Sequence, residues 1–208
     1  MRLVCLSDTH GLHAALHVPE GDVLVHAGDV SKHGTPEQIA DFDRWLGTLP
    51  HARKVVVAGN HDFLFERNPS LARELITHAE YLQDRALVVG GVRFYGTPWQ
   101  PRFFDWAFNL DRGEPLRHKW SLIPADVDVL ITHGPPEGIL DRTVRGERAG
   151  DRDLRERVEQ LAPRVHLFGH IHEAYGTARL DGLRTQFVNA SICTLEYRPT
   201  NAPIVVDL

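Results

Sequence analysis

Asp8 and His10, Asp29, Asn60 with His61 and Asp62, His133, and His170 with His172 share one setting: each group follows directly on a short apolar run. Carboxylate oxygens, an amide carbonyl and imidazole nitrogens are donors that divalent cations take, and metal-assisted hydrolysis is the chemistry such a set would serve. Thiolates are missing from it, which speaks against a closed structural zinc site. In extended chain alternate residues face one side, so Asp8 and His10, and likewise His170 and His172, can aim at one cluster. Asp29, with two oxygens, is read as a bridge between two cations. The set Asp8, His10, Asp29, Asn60, His133, His170 and His172 exceeds what one tetrahedral ion holds and suits two divalent metals. Manganese is favoured, with iron, zinc or cobalt as alternatives; magnesium prefers an all-oxygen octahedron. Taken singly, each block also reads as a turn or a helix cap, and only the recurrence at strand ends points to a site.

The elements that must carry these groups are legible from period and punctuation. Leu3–Leu6, Asp22–Ala27, Arg53–Ala58, Asp126–Thr132 and Val165–Phe168 read as strands, and Val55-Val56-Val57-Ala58 is apolar enough to be covered on both faces. In open α/β sheets ligands gather beyond the carboxyl ends of such strands. Gly59 would let the chain turn tightly at that point. Thr35-Pro36-Glu37 opens a helix that carries Ile39, Phe42, Trp45, Leu46 and Leu49, and Asn68-Pro69-Ser70 opens another through Ile76. Asp151–Ala162 reads as a charged amphipathic helix ended by Pro163. Ala86–Val89 and Val92–Tyr95 form a hairpin across Gly90-Gly91, a second hairpin turns at Asp181-Gly182, and Ile204–Asp207 is the last strand. Strands that alternate with helices and then give way to hairpins predict a layered α/β fold of mixed sheets. No linker divides the chain, so residues 1–208 are read as a single domain.

Residues 97–120 are the least regular stretch and hold Trp99, Phe103, Phe104, Trp106, Phe108 and Trp120. This patch reads as a wall for a nucleobase or aromatic leaving group, as a satellite core, or as a homodimer contact. Arg102, Trp99 and Asn189 are taken as the substrate contacts.

Composition bounds the rest. The chain has 208 residues and a formal charge of −5, which argues against a stable nucleic-acid partner bound by blanket phosphate neutralisation but allows a small anionic substrate over bound cations. Of the 13 histidines, those outside the strand-end blocks, such as His17, His51 and His118, read as surface or core residues. Cys5 and Cys193 sit in apolar contexts without Cys-x-x-Cys spacing and read as buried free thiols. Ser7-Asp8 interrupts the first apolar run before a signal peptide could form, and no stretch approaches the roughly 20 apolar residues of a membrane helix. A cytoplasmic protein without a membrane partner is the expectation.

Asp8-x-His10, Gly28-Asp29, Gly59-Asn60-His61-Asp62, Thr132-His133 and Gly169-His170-x-His172 resemble the motif blocks of the calcineurin-like metallophosphoesterase superfamily. Many members have glycine where Thr132 stands. The resemblance implies a four-layer α/β/β/α sandwich of two mixed sheets flanked by helices, with a binuclear centre. It assigns Asp8, His10, Asp29 and His172 to one metal, Asp29, Asn60, His133 and His170 to the other, and makes His61, with Asn60, a catalytic group. Tyr95-Gly96-Thr97-Pro98-Trp99, Thr132-His133-Gly134-Pro135-Pro136, His172-Glu173-Ala174-Tyr175-Gly176-Thr177 and Pro199-Thr200-Asn201-Ala202-Pro203 are similar to the small metallophosphoesterase-domain proteins known from vertebrate brain, which resemble class III cyclic-nucleotide phosphodiesterases. Vertebrate members often have glycine where this chain has His170, which implies fuller metal occupancy here. Gly28-Asp29-Val30-Ser31-Lys32-His33-Gly34 lacks the Asp and Arg-Gly of the Ser/Thr protein phosphatases, which speaks against that activity.

The resemblance implies a metal-dependent phosphodiesterase acting on cyclic nucleotides or related small diesters by attack of a metal-bridging hydroxide. His61 would protonate the leaving alkoxide. A phosphomonoesterase or dinucleotide-polyphosphate hydrolase is the enzymatic alternative. A non-catalytic nucleotide-binding scaffold is the alternative from another class.

Overall fold

Leu3, Val4, Cys5 and Leu6 are all fully buried, as a strand covered on both faces must be. The computed structural model describes residues 1–208. In chain order the elements are β1 (Arg2–Leu6), β2 (Val23–Ala27), α1 (Pro36–Thr48), β3 (Arg53–Val57), α2 (Phe63–Arg67), α3 (Pro69–Leu75), β4 (Glu80–Tyr81), β5 (Arg85–Val89), β6 (Val92–Thr97), β7 (Gln100–Pro101), β8 (Asn109–Leu110), α4 (Glu114–Ser121), β9 (Val129–Thr132), α5 (Arg152–Leu161), β10 (Val165–Phe168), β11 (Gly176–Arg179), β12 (Gln186–Asn189) and β13 (Ile204–Asp207). One sheet runs β13-β1-β2-β3-β4, the other β11-β12-β10-β9-β6-β5, and β7 with β8 makes a small third sheet.

Both large sheets are mixed. In the first, β1, β2, β3 and β4 are parallel and β13 is antiparallel to β1. In the second, β6, β9, β10 and β12 are parallel, with β5 and β11 as antiparallel edges. The strand period of two sorts the side chains into layers. Leu3, Cys5, Val25, Val55 and Val57 meet Phe94, Val129, Ile131, Leu167 and Val188 between the sheets. Val4, Leu6, Leu24 and Val56 face the other way, onto Ile39, Phe42 and Leu46 of α1 and Ala72 of α3. Tyr95, Leu130, Phe168 and Phe187 pack on Leu116 and Trp120 of α4 and on Leu154 and Val158 of α5. The result is the α/β/β/α sandwich, its apolar contacts supplying the main stabilisation.

The helices start where the caps lie. The Thr35 hydroxyl accepts from the Gln38 amide, the Asn68 carbonyl oxygen from the Leu71 amide, and the Asp151 carboxylate from the Leu154 amide, with Pro36 and Pro69 in the first turns. α5 ends at Ala162, left-handed at φ 44°, with Pro163 next. Two helices lie where the sequence reading shows none. α2 is only five residues long, too short for a period to show, and α4 opens with Gly113-Glu114-Pro115 inside the stretch read as irregular. Strand β9 begins at Val129 rather than Asp126, because residues 124–127 are taken up by a turn in which the Val127 amide donates to the Pro124 carbonyl.

Because the parallel strands share a direction, their carboxyl ends gather at one edge of the sandwich. Ser7 and Ser191 form a parallel bridge there, tying the end of β1 to the segment after β12. The Asp8, His10 and Gly169 amides donate to the carbonyls of Gly28, Asp29 and His133, lacing the loops together. Cys5 and Cys193 are buried and unpaired, and burial pushes each thiol up to about 12. No helix is long and apolar enough to cross a membrane.

Candidate metal centre

At these strand ends the backbone itself is unusual. Asp8, His10, Asp29 and His170 all adopt left-handed conformations, with φ of 54°, 47°, 55° and 69°. Non-glycine residues pay about 1 kcal/mol or more for that, and such strain collects where side chains must be aimed. Gly59 has a different reason for its place. A Cβ there would collide with Asp29 Oδ1, the Asp29 amide and the His133 ring, so only glycine lets β3 end this close to the acid.

The side chains so aimed converge. The Nε2 atoms of His133, His10 and His61 lie 3.5, 3.7 and 3.9 Å from Asp29 Oδ2. His172 Nε2 is 3.4 Å from Asp8 Oδ1 and 3.2 Å from His10 Nε2. On the far side of Asp29, His133 Nε2 and His170 Nδ1 are each 2.8 Å from the Asn60 Oδ1. Asp8, His10 and His172 form one group able to hold an ion, and Asp8, Asp29 and His133 form another. All seven residues expected from the spacing as metal ligands, together with His61, are thus brought to one place.

The tautomers support a cation there. The Nδ1 atoms of His133, His172 and His61 lie 3.0 Å from the carbonyls of Ala27, Thr194 and Lys32, so each donates outward and leaves Nε2 facing the cluster. The neutral Nε2 of His133 then meets the Asn60 carbonyl oxygen lone pair to lone pair, a contact that a proton or a metal ion between them resolves. Asp8 Oδ1 is a buried carboxylate oxygen without any hydrogen-bond partner. An orphaned anionic oxygen among imidazoles is what a divalent ion relieves, and the mixed oxygen and nitrogen donors fit a first-row transition metal.

Charges agree with this picture. Burial alone would raise the Asp8 carboxyl, but His172, His133 and His10 hold it well below the usual carboxylate range. Burial is likewise outweighed at Asp29, chiefly by His133, and that carboxyl is lowered too. Burial would lower His133 and His172, yet Asp29 raises the first to about 9 and Asp8 the second to about 9. His10 and His170 go the other way, burial bringing them down to about 4 and about 3. In the metal-free protein, protons on His133 and His172 thus balance the carboxylates, and metal binding would release them.

A supporting set surrounds the cluster. Asp62 accepts from the amides of Val30, Ser31 and Gly59 and from the Ser31 hydroxyl, clamping the loop after β2 to the loop after β3. It does not point at the cluster. The Ser191 hydroxyl and the His170 amide donate to Asp8 Oδ2, leaving only Oδ1 free. Ser191 and Tyr197 are the residues the sequence reading misses, while Trp106 is one of the six aromatics it reads as a candidate wall. Trp106 covers His61, while Tyr197, left-handed at φ 56°, packs its ring on His10 at 4.8 Å. Nothing in a lone loop aromatic signals such a place.

The expected substrate contacts fare differently. Asn189 is fully buried; its amide donates to the Ile171 and Leu140 carbonyls and its oxygen accepts from Ser191, so it braces the Asp8 support and has nothing to offer a substrate. Trp99 hydrogen-bonds Asp84, lies under the Lys119 ammonium and packs edge-on to Phe108, a core position away from the well. Arg102 is paired with Asp111 and lines a cleft that opens beside His170. The aromatic stretch therefore divides: Trp99, Phe108 and Trp120 belong to cores, Trp106 to the well, Phe103 to its rim, and Phe104 to the adjoining cleft.

Comparison with known proteins gives the same reading. Residues 1–174 match the family described as calcineurin-like phosphoesterase. The chain is 45% identical to human metallophosphoesterase domain-containing protein 1 over all of its own length and 71% of that protein. It is 38% identical to the Caenorhabditis elegans UPF0046 protein T07D4.2, covering 60% of it. Among solved structures, the phosphopantetheinyl hydrolase of Mycobacterium tuberculosis superposes with a TM-score of 0.60 at 16% identity, over 97% of this chain and 95% of that one. TT1561 of Thermus thermophilus superposes with a TM-score of 0.59 at 14% identity, over 90% of this chain and 88% of that one. With strand-end donors converging on one centre and both sequence and fold in agreement, the chain belongs to the calcineurin-like phosphoesterase family of metal-dependent phosphoester hydrolases.

Proposed function

We propose that this protein is a binuclear metal-dependent phosphodiesterase for cyclic nucleotides or related small diesters. The observation that carries the reading is Asp29, a single carboxylate set among imidazoles on both sides, with Asp8, His10 and His172 grouped to one side and Asn60, His133 and His170 to the other. Two divalent ions held there, manganese fitting the donor set, would supply an activated water and neutralise charge on the phosphoryl oxygens.

The chain's own residues supply the rest. The well is about 210 Å³ and walled by Asp29, Asn60, His61, Trp106, His170, His172 and Tyr197. It is wide enough for a phosphoryl group and its two ester oxygens and narrow enough to orient them. Asn60 and His61 stand where hydrogen bonds would stabilise charge growing on the phosphoryl group. His61, its Nδ1–H donating to the Lys32 carbonyl, turns Nε2 into the well, and as the imidazolium it is the group that hands the Nε2 proton to the departing alkoxide. The indole of Trp106 shields one side of that transfer from water.

The test is a metal titration of the apoprotein, read by hydrolysis of bis(4-nitrophenyl) phosphate and followed by a panel of cyclic nucleotides, linear diesters and monoesters. Activity should saturate near two equivalents of manganese per chain and favour diesters. Saturation at one equivalent would overturn the binuclear reading, and faster turnover of monoesters the diesterase reading. Binding of nucleotides without hydrolysis under any metal would point to the scaffold alternative.

A further inference from the structure

The well is not closed on the side of His170. Phe103, His170, Glu173 and Leu195 line both the well and a second, larger cleft of about 550 Å³. That is the size of a small-molecule site and far more than a phosphoryl group needs. Phe103 and Phe104, 52% and 74% exposed, line the cleft together with Val144, 70% exposed.

The aromatic side is built to stay exposed. Asn109 clamps the turn: its carbonyl oxygen accepts from the Phe103 amide and its amide donates to the carbonyls of Phe103 and Phe104. Phe104 is left-handed at φ 49°, and the two phenyl rings sit edge to face at 4.5 Å. A strained, pinned turn that keeps two phenylalanines in water is a platform for a planar group.

The cleft is also lined by residues 143–149, which bring Arg145 and Arg148 beside Glu147. Residues 143–147 form a tight turn, in which Thr143 accepts from Gly146 and donates its amide to Glu147, and the Val144 amide is anchored on the Glu173 carboxylate. The turn presents Arg145 and Arg148, both exposed and neither paired with a carboxylate, in a chain whose net charge is −5. The Thr143 hydroxyl, on the same wall, is buried without a hydrogen-bond partner. Phenyl rings sharing one cleft with guanidinium groups free of carboxylates are a combination that takes a nucleobase together with a phosphate.

We propose that this cleft is a second subsite, which receives the base of a nucleotide on Phe103 and Phe104 and a second phosphate, distinct from the one in the well, on Arg145 and Arg148. The inference rests on the phosphodiesterase reading of the well and narrows its substrate to nucleotides with a phosphate beyond the scissile one. Product-like ligands test it without relying on turnover. Calorimetric titration of the manganese-loaded protein with adenosine 5′-monophosphate and with adenosine 3′,5′-bisphosphate should show the bisphosphate binding about ten- to a hundredfold tighter. In the Arg145→Ala/Arg148→Ala variant that preference should vanish, and Phe104→Ala should weaken both nucleotides while inorganic phosphate binds as before. Equal affinities for the two nucleotides in the unaltered protein, or a preference that survives loss of both arginines, would overturn the subsite. Bis(4-nitrophenyl) phosphate left uncleaved would count against the reading of the well instead, because the nucleotide affinities are measured without catalysis.

Discussion

Trp106 and His61 lie with ring centroids 4.1 Å apart and planes inclined by 38°, while the Lys32 carbonyl holds the other side of the same imidazole. The ring is thus fixed in direction before any substrate arrives, and its Nε2 is committed to the well. His61→Ala should retain metal and lose about 10²–10⁴ in kcat on diesters with alkoxide leaving groups, which need a proton. Bis(4-nitrophenyl) phosphate, whose leaving group does not, should lose far less. Trp106→Ala should reproduce the pattern more weakly, with kcat falling and KM little changed. Equal losses on both kinds of ester would remove the proton-donor role.

Every partner of the Asp62 carboxylate is a donor: the Val30, Ser31 and Gly59 amides at 3.1, 3.0 and 2.8 Å, and the Ser31 hydroxyl at 2.6 Å. Asn at this position keeps the shape but turns an NH2 toward N–H groups that have nothing else to bond. Asp62→Asn should cost about 2–4 kcal/mol, a fall in Tm of about 4–16 °C for a chain of this size. Because the clamp joins the loops that carry Asp29 and Asn60, metal content after dialysis should drop with it. A melting curve and metal analysis of the purified variant check both; a stable variant with full metal would show the clamp to be dispensable.

Acid sensitivity has a source far from the metal centre. Asp43, buried on α1, accepts from the Thr77 amide and hydroxyl and from the His78 amide and ring, all at 2.7–2.9 Å. Burial would raise this carboxyl, but the hydrogen bonds from His78 and Thr77 win and hold it below its ordinary 3.8. A carboxyl lowered in the folded state stabilises fully above the unfolded value, and that stabilisation is lost as pH falls through the folded one. The Tm gap between the unaltered protein and Asp43→Asn should therefore be steady near pH 5 and close as pH falls below 3.8. A gap that does not narrow would mean the aspartate matters for its shape and not its charge.

What could be seen in the sequence, and what could not, follows from the range of each interaction. Asp8, His10, Asp29, Asn60, His133, His170 and His172 stand out because a buried strand is a local pattern and a polar donor just past it is a local anomaly. α1, α3 and α5 are equally local, since cap, proline and period lie within a few residues of one another. Asn189 deceives for the same reason: it ends a strand as the ligands do, but its partners Leu140 and Ile171 are visible only once the chain is folded. Trp99 and Trp106 are indistinguishable as letters, and only the turn between β7 and β8 sends one to the core and the other to His61. The role of Ser191 depends on a bridge to Ser7 across most of the chain's length.

The three imidazoles that turn Nε2 inward are held by Ala27, Lys32 and Thr194 through the peptide carbonyl and not through a side chain. Every amino acid brings that oxygen with it. Replacement at these three positions therefore leaves the anchors in place so long as the backbone trace survives. Inserting or deleting a single residue between Asp29 and Lys32, or just before Thr194, would swing an imidazole away while leaving every ligand in the gene.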